Sequence, residues 1–277
     1  MLPVLFEFGS LTIYSYGFFL TLAYLAGTFI FWREGRKRGF NEERLLDLSL
    51  LGLLAALVGG RVLYVLLNWS YFSLEPAQAL FVWQGGFAYF GALFAAILVG
   101  IYFCRAWKWP AFQIADLAAL AAALSFAIGK LGTFLAGTDY GYQTDLPWGV
   151  TFPALVGERH PVQLYEAAIS FLIFIFLTRT YFKNIEKSGE VKSGIVFFDW
   201  LLLSGVARFV LEYFRADSTF VAGVKIAQIL SLVVASIGFV GLYYFGLRNF
   251  RTDVRVVLKK VSLFGNQAKN FKTIIRR

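Results

Sequence analysis

The chain has 277 residues, of which 58% are hydrophobic and 16% charged, with 31 phenylalanines and a formal charge of +9. A mean hydropathy of +0.65 excludes an ordinary water-soluble domain, because helices apolar on every side need lipid or a very large core around them. The positive charge sits in short clusters between long apolar runs, as in cytoplasmic loops, which argues against a nucleic-acid partner, and a single cysteine, Cys104, excludes an internal disulfide and a cysteine-based metal site.

The start, MLPVLFEFGS, has neither a basic leader nor a small-residue cleavage site, so no removable signal peptide is expected. Apolar runs of about 20 residues, long enough to cross a bilayer as helices, fall near 13–32, 46–68, 85–106, 112–136, 162–183, 194–214 and 224–247. They predict an all-α polytopic membrane protein with seven transmembrane helices over 1–247, followed by a basic cytoplasmic tail over 248–277. Arg33, Arg36, Lys37, Arg38, Arg44, Arg105, Lys108, Arg179, Lys183, Lys187, Lys192 and the basic residues of the tail fall on one side of these spans. Only Arg159 and Arg215 fall on the other, so the N-terminus is expected outside and the C-terminus inside. The tail reads either as a segment lying on an anionic leaflet or as a plain positive-inside flank.

In the first span, Tyr14 and Tyr16 read as an interfacial belt or as phenols reaching a lipid head group. The second carries Gly59 and Gly60 ahead of Arg61, and the third begins with Gly85, Gly86 and Gly91; such glycines let helices approach closely. Arg61, Lys130, Arg208 and Lys225 lie within spans or at their ends, and a charge within a span needs a polar cavity or a partner. Asp116 and Asp199 fall in first turns of their own helices, where the helix dipole accounts for them. Gln228 and Ser231 read as interhelical contacts.

Polar chemistry concentrates between Gly129 and Glu166. His160, the only histidine, has the one side chain with an unperturbed pKa near neutrality. With Pro161 it reads either as a helix cap or as a group that moves a proton. Gln163 and Glu166 share a helix face, as do Arg208, Glu212 and Arg215. The latter three read as a neutralised pair plus a spare cation, or as a buried ion pair that only fixes packing. No dense cluster of histidine, cysteine and carboxylate points to a metal, and no cofactor is expected.

YSYG, GGR-x-x-Y, W-x-GG-x-x-x-x-G, the glycines and phenylalanine around Lys130 running to DYG, HPVQLYE (160–166), RFVLEYFR (208–215) and AQ-x-LS occur in this order over residues 14–231. That series resembles the prolipoprotein diacylglyceryl transferase family. The resemblance implies a seven-helix enzyme of the bacterial inner membrane that moves the diacylglyceryl group of phosphatidylglycerol onto the lipobox cysteine thiol of a preprolipoprotein, releasing glycerol phosphate. Its implied partners are phosphatidylglycerol, lipobox peptides and membrane lipids. The chain departs from the family pattern at Lys130, where arginine is usual, at Thr133 and Ala136 (asparagine), at Thr138 (glutamate) and at Phe90 (histidine or tyrosine).

Tyr16, Arg61, Lys130, His160, Gln163, Glu166, Arg208, Glu212 and Arg215 are expected to line a cavity in the outer half of the bilayer. His160, Tyr16, Arg208 and Glu212 are expected to act in catalysis, and Lys130, Arg61, Gln163, Glu166 and Arg215 to bind substrate. Arg208 and Lys130 would hold the lipid phosphate, Glu212 would orient Arg208, and His160 or Tyr16 would assist removal of the thiol proton. The alternative is a non-catalytic lipid-binding or scaffold protein on the same fold. A secondary transporter would show an internal repeat with broken helices, which the sequence lacks.

Overall fold

A computed structural model describes residues 1–255 apart from 10, 154, 189–191, 219 and 222. A hairpin of β1 (Val4–Phe8) and β2 (Leu11–Tyr14) leads into α1 (Ser15–Lys37) and α2 (Glu42–Leu67). The short α3 (Trp69–Phe72) and two 3-10 turns precede α4 (Tyr89–Ala106) and α5 (Ala111–Ala136). After two-residue strands β3 (Val150–Thr151) and β4 (Glu158–Arg159) come α6 (Val162–Ser188) and α7 (Ile195–Leu211). The hairpin β5 (Phe220–Val221) and β6 (Val224–Lys225) then leads into α8 (Ile226–Tyr244). All three small sheets are antiparallel pairs.

Helices α1, α2, α4, α5, α6 and α8 are long and apolar enough to cross a membrane, and the protein is a multi-pass membrane protein. α7 has 17 residues and rises about 25 Å, slightly less than the other candidates. The expected starts and ends agree with the helices to within five residues, and the third begins at Tyr89 rather than 85. Arg61 takes the carbonyls of Gly85 and Gly86, which a helix starting there would need for its own first turn. The part of the tail from 256 onward lies outside the described residues, and with it the choice between a leaflet-bound segment and a solvated flank.

α5 is the centre of the bundle, packed against α1, α6 and α7, while α2 pairs with α4 and α7 with α8. The α2–α4 crossing depends on two facing glycines: a Cβ on Gly59 would stand 2.6 Å from the Gly91 carbonyl oxygen, so neither position has room for a side chain. The buried apolar cluster, including Leu45, Leu117, Leu120, Leu177, Val196 and Leu242, engages the N-terminal half of α5. Asp116, fully buried there, accepts hydrogen bonds of 2.8 Å from the backbone N–H groups of Gly194 and Phe197. It therefore caps α7 rather than its own helix, and Asp199 pairs with Arg248 at 2.7 Å. The larger cluster of charged side chains lies at the opposite end of α5.

Candidate active site

Glu166 sits one turn into α6, at 7% side-chain exposure, and three cations from three parts of the chain converge on it. Lys130, near the end of α5, lies 2.6 Å from Oε2; Arg208 of α7 pairs with Oε1; and Arg215, just past α7, reaches Oε1 at 3.4 Å. Asp139 bridges Lys130 at 2.8 Å and Arg215 at 3.1 Å. Glu212 takes Arg208 at 3.2 Å, and the Ser218 hydroxyl donates to its other oxygen at 2.5 Å. Asp217 holds Arg215 at 2.7 Å. Lys225 donates to the carbonyls of Glu212 and Arg215 at 2.6 and 2.9 Å, closing the C-terminal end of α7, where a cation is favoured.

Lys130, Arg208, Arg215 and Lys225 thus balance Asp139, Glu166, Glu212 and Asp217. Removing one of the buried members, such as Glu166 or Glu212, strands its partner at a cost of about 3–5 kcal/mol. Exposure separates the cations by role. The side chain of Arg208 is 37% exposed whereas that of Arg215 is 8% exposed, so Arg208 is open to a ligand and Arg215 is held inside by acids. Asp139, Glu166 and Asp217 raise the Arg215 pKa against the lowering effect of burial, so it stays charged.

The loop residues that feed this cluster are held by backbone pairing. Residues 140–144 run extended between two neighbours: Gly141 N–H donates to the His160 carbonyl at 3.2 Å, and Tyr142 N–H donates to that of Phe214 at 3.0 Å. A Cβ at Gly141 would meet the His160 carbonyl oxygen at 2.6 Å and the His160 Cβ at 2.7 Å, so only glycine fits between. Asp139 has φ 64, a left-handed backbone that aspartate tolerates better than most residues.

The expected residues divide accordingly. Lys130, Glu166, Arg208, Glu212 and Arg215 form one network. Gln163 is fully buried beside it, its amide donating to the Thr138 carbonyl at 2.5 Å, which fixes the turn that carries Asp139. His160 flanks Gly141 on the side opposite Arg215. Its side chain does not cap α6: Nδ1 lies 3.3 Å from the Tyr165 hydroxyl, while the Pro161 carbonyl accepts the first helical bonds. Tyr16 is half exposed at the start of α1 and makes no hydrogen bond to the network among the described residues.

Arg61 stands apart. Its guanidinium donates to the carbonyls of Gln78, Ala79, Phe81, Gly85 and Gly86 at 2.5–3.3 Å, which binds the 3-10 turns to α2 and leaves its fork occupied by backbone. Of the glycines expected to bring helices together, Gly59, Gly60 and Gly91 do so, whereas Gly85 and Gly86 serve this turn. Reading the sequence alone passes over Asp139, Asp217 and Ser218, although Asp139 begins the DYG motif, and it places Lys225 at the start of a span without giving it a role. It also passes over Tyr89, the first residue of α4.

Four carboxylates and four cations at one end of an apolar bundle, with one arginine open, suit a membrane-embedded site for an anionic ligand. The sequence profile described as prolipoprotein diacylglyceryl transferase matches residues 3–244. The phosphatidylglycerol–prolipoprotein diacylglyceryl transferase of Trichormus variabilis is 32% identical over 89% of this chain and 90% of its own. The protein of that name from Clostridium tetani is 32% identical over 91% and 99%, and that from Geobacter sulfurreducens 35% over 77% and 82%. With nearly its whole helical domain inside that profile, the chain belongs to the prolipoprotein diacylglyceryl transferase family.

Proposed function

We propose that this chain transfers the diacylglyceryl group of phosphatidylglycerol to the lipobox cysteine of prolipoproteins in the bacterial inner membrane. The observation that carries the reading is the half-open Arg208, held by Glu166 and Glu212 beside Lys130 in a chain of this family. α7 serves as the seventh crossing, with the N-terminus outside and residues 248–277 as a cytoplasmic tail. That orientation puts the charged end of the bundle in the outer half of the bilayer, where it meets a lipid head group and an emerging lipobox.

Transfer forms a carbon–sulfur bond as the glyceryl carbon–oxygen bond to phosphate breaks. The oxygen keeps the electron pair, and the thiol proton passes to the released phosphate monoester or to water. Chemistry of this kind asks the protein for cations on the phosphate and an apolar groove for two acyl chains. Arg208 and Lys130 hold the phosphate, Glu212 orients Arg208, and Glu166 and Arg215 keep the cations in register. The sulfur belongs to the substrate, so no protein nucleophile is required.

The test is transfer from phosphatidylglycerol to a lipobox peptide by the purified protein, with Arg208→Ala and Lys130→Ala beside it. Transfer that falls in both variants, with KM for phosphatidylglycerol raised, is the expected result. Unchanged kinetics in either variant would remove that residue from the phosphate site. Phosphatidylglycerol binding without transfer would favour a lipid-binding relative on the same fold.

A further inference from the structure

The Trp148 indole nitrogen lies 2.8 Å from the Tyr165 hydroxyl, and that hydroxyl lies 3.3 Å from His160 Nδ1. An indole N–H only donates, so Tyr165 accepts from Trp148. A phenol has one proton to give, and the remaining partner in reach among the described residues is His160 Nδ1. In the reverse bond, from a protonated Nδ1, the phenol oxygen would accept twice and its own proton would have no acceptor among the described residues. Nδ1 therefore accepts, and a neutral imidazole whose Nδ1 accepts carries its proton on Nε2.

The ring is further fixed by packing edge-on to Phe214, with centroids 5.2 Å apart, and by backbone pairing of His160 with Tyr142 at 3.0 Å. Nε2 makes no hydrogen bond among the described residues, so its N–H is available to a ligand.

We infer that Trp148 and Tyr165 are positioning residues that hold His160 as its Nε2–H tautomer, so that the imidazole offers a hydrogen-bond donor to an anionic oxygen and does not act as a base. The identity of that oxygen rests on the proposed function: it is a phosphate oxygen of phosphatidylglycerol, on which charge grows as the carbon–oxygen bond breaks. His160 keeps its proton throughout. This reverses the base role open to His160 from the sequence.

The single histidine makes its own reporter. Nitrogen NMR of histidine-labelled protein at about pH 8.5, well above the ordinary histidine value, is expected to show a protonated Nε2 and a bare Nδ1. Tyr165→Phe, which removes only the hydroxyl, is expected to turn these into averaged signals, and Trp148→Phe to move them the same way. A protonated Nδ1 in the native protein, or signals unmoved by Tyr165→Phe, would overturn the tautomer assignment whether or not the protein transfers lipid.

Kinetics test the donor role separately. Glutamine carries an amide N–H near the position of Nε2 but is no base at neutral pH. His160→Ala is expected to lose on the order of 10²-fold in kcat, as when one oxyanion donor is removed, and His160→Gln to recover most of that loss. Equal losses in the two variants would overturn the donor role.

Discussion

Lys130 Nζ and Asp139 Oδ2 are 2.8 Å apart, an ion pair that ties the last turns of α5 to the left-handed residue opening the DYG segment. Burial alone would raise the Asp139 carboxyl, but Lys130 and then Arg215 outweigh it and hold the group below its ordinary 3.8. A depressed native value means that the stabilisation is complete above the unfolded value and is lost as pH falls through the native one. Wild type and Asp139→Asn should therefore differ in unfolding free energy by on the order of 1–3 kcal/mol, the scale of a charged hydrogen bond. That gap should stay constant from about pH 8 down to about pH 5 and close only below about pH 4. Denaturation in detergent at several pH values measures it, and a gap that narrows between neutrality and pH 5 would show that Asp139 is not the titrating group.

Glu166 is the anion on which Lys130, Arg208 and Arg215 converge. Glu166→Ala leaves Arg215 buried with one fewer acid and is expected to cost about 3–5 kcal/mol. Glu166→Gln keeps the shape and one acceptor oxygen and should cost less. Thermal unfolding of both variants in the same detergent checks the order, and an alanine variant as stable as wild type would mean that the network carries no net stabilisation.

Much of this site is legible in the sequence, because helical spacing alone puts Arg208, Glu212 and Arg215 on one face and Gln163 and Glu166 on another. What spacing cannot supply is the partner across space. Arg61 reads as a buried cation awaiting a ligand, yet its acceptors are backbone carbonyls, which every residue has and no side-chain pattern announces. Asp116 shows the same limit: its own helix dipole accounts for it on paper, while the N-terminus it caps belongs to α7. Asp139 was hidden because loops between spans carry no periodicity to mark which charges turn inward, and Lys225 because its acceptors, like those of Arg61, are backbone carbonyls.

Arg61 and Arg208 should accordingly behave differently when changed. Arg61→Ala frees the carbonyls of residues 78–86 and is expected to expose that segment to protease and to lower the unfolding temperature. Arg61→Lys should rescue little, since an ammonium cannot reproduce a planar fork that spans several carbonyls. KM for phosphatidylglycerol should stay near wild type in whatever fraction of Arg61→Lys remains folded, whereas Arg208→Lys should raise it. A raised KM with unchanged protease sensitivity in Arg61→Lys would place Arg61 at the lipid after all.

Tyr89 and Phe90 open α4 with their rings edge to face at 5.6 Å, and only the tyrosine has a group that can exchange a hydrogen bond. Its phenol lies in the field of Arg208 and Lys130, the two cations assigned to the lipid phosphate. If that hydroxyl donates to a phosphate oxygen, losing the donor costs on the order of 10²-fold in kcat. Tyr89→Phe is expected to show that loss with little change in unfolding temperature, because the ring and its packing are kept. Phe90→Tyr should leave transfer unchanged in the wild-type background and fail to rescue Tyr89→Phe, since it restores a hydroxyl on a different helix position. Rescue by Phe90→Tyr would mean that a hydroxyl at position 90 also reaches the site, and wild-type kinetics in Tyr89→Phe would mean that its phenol is incidental to the chemistry.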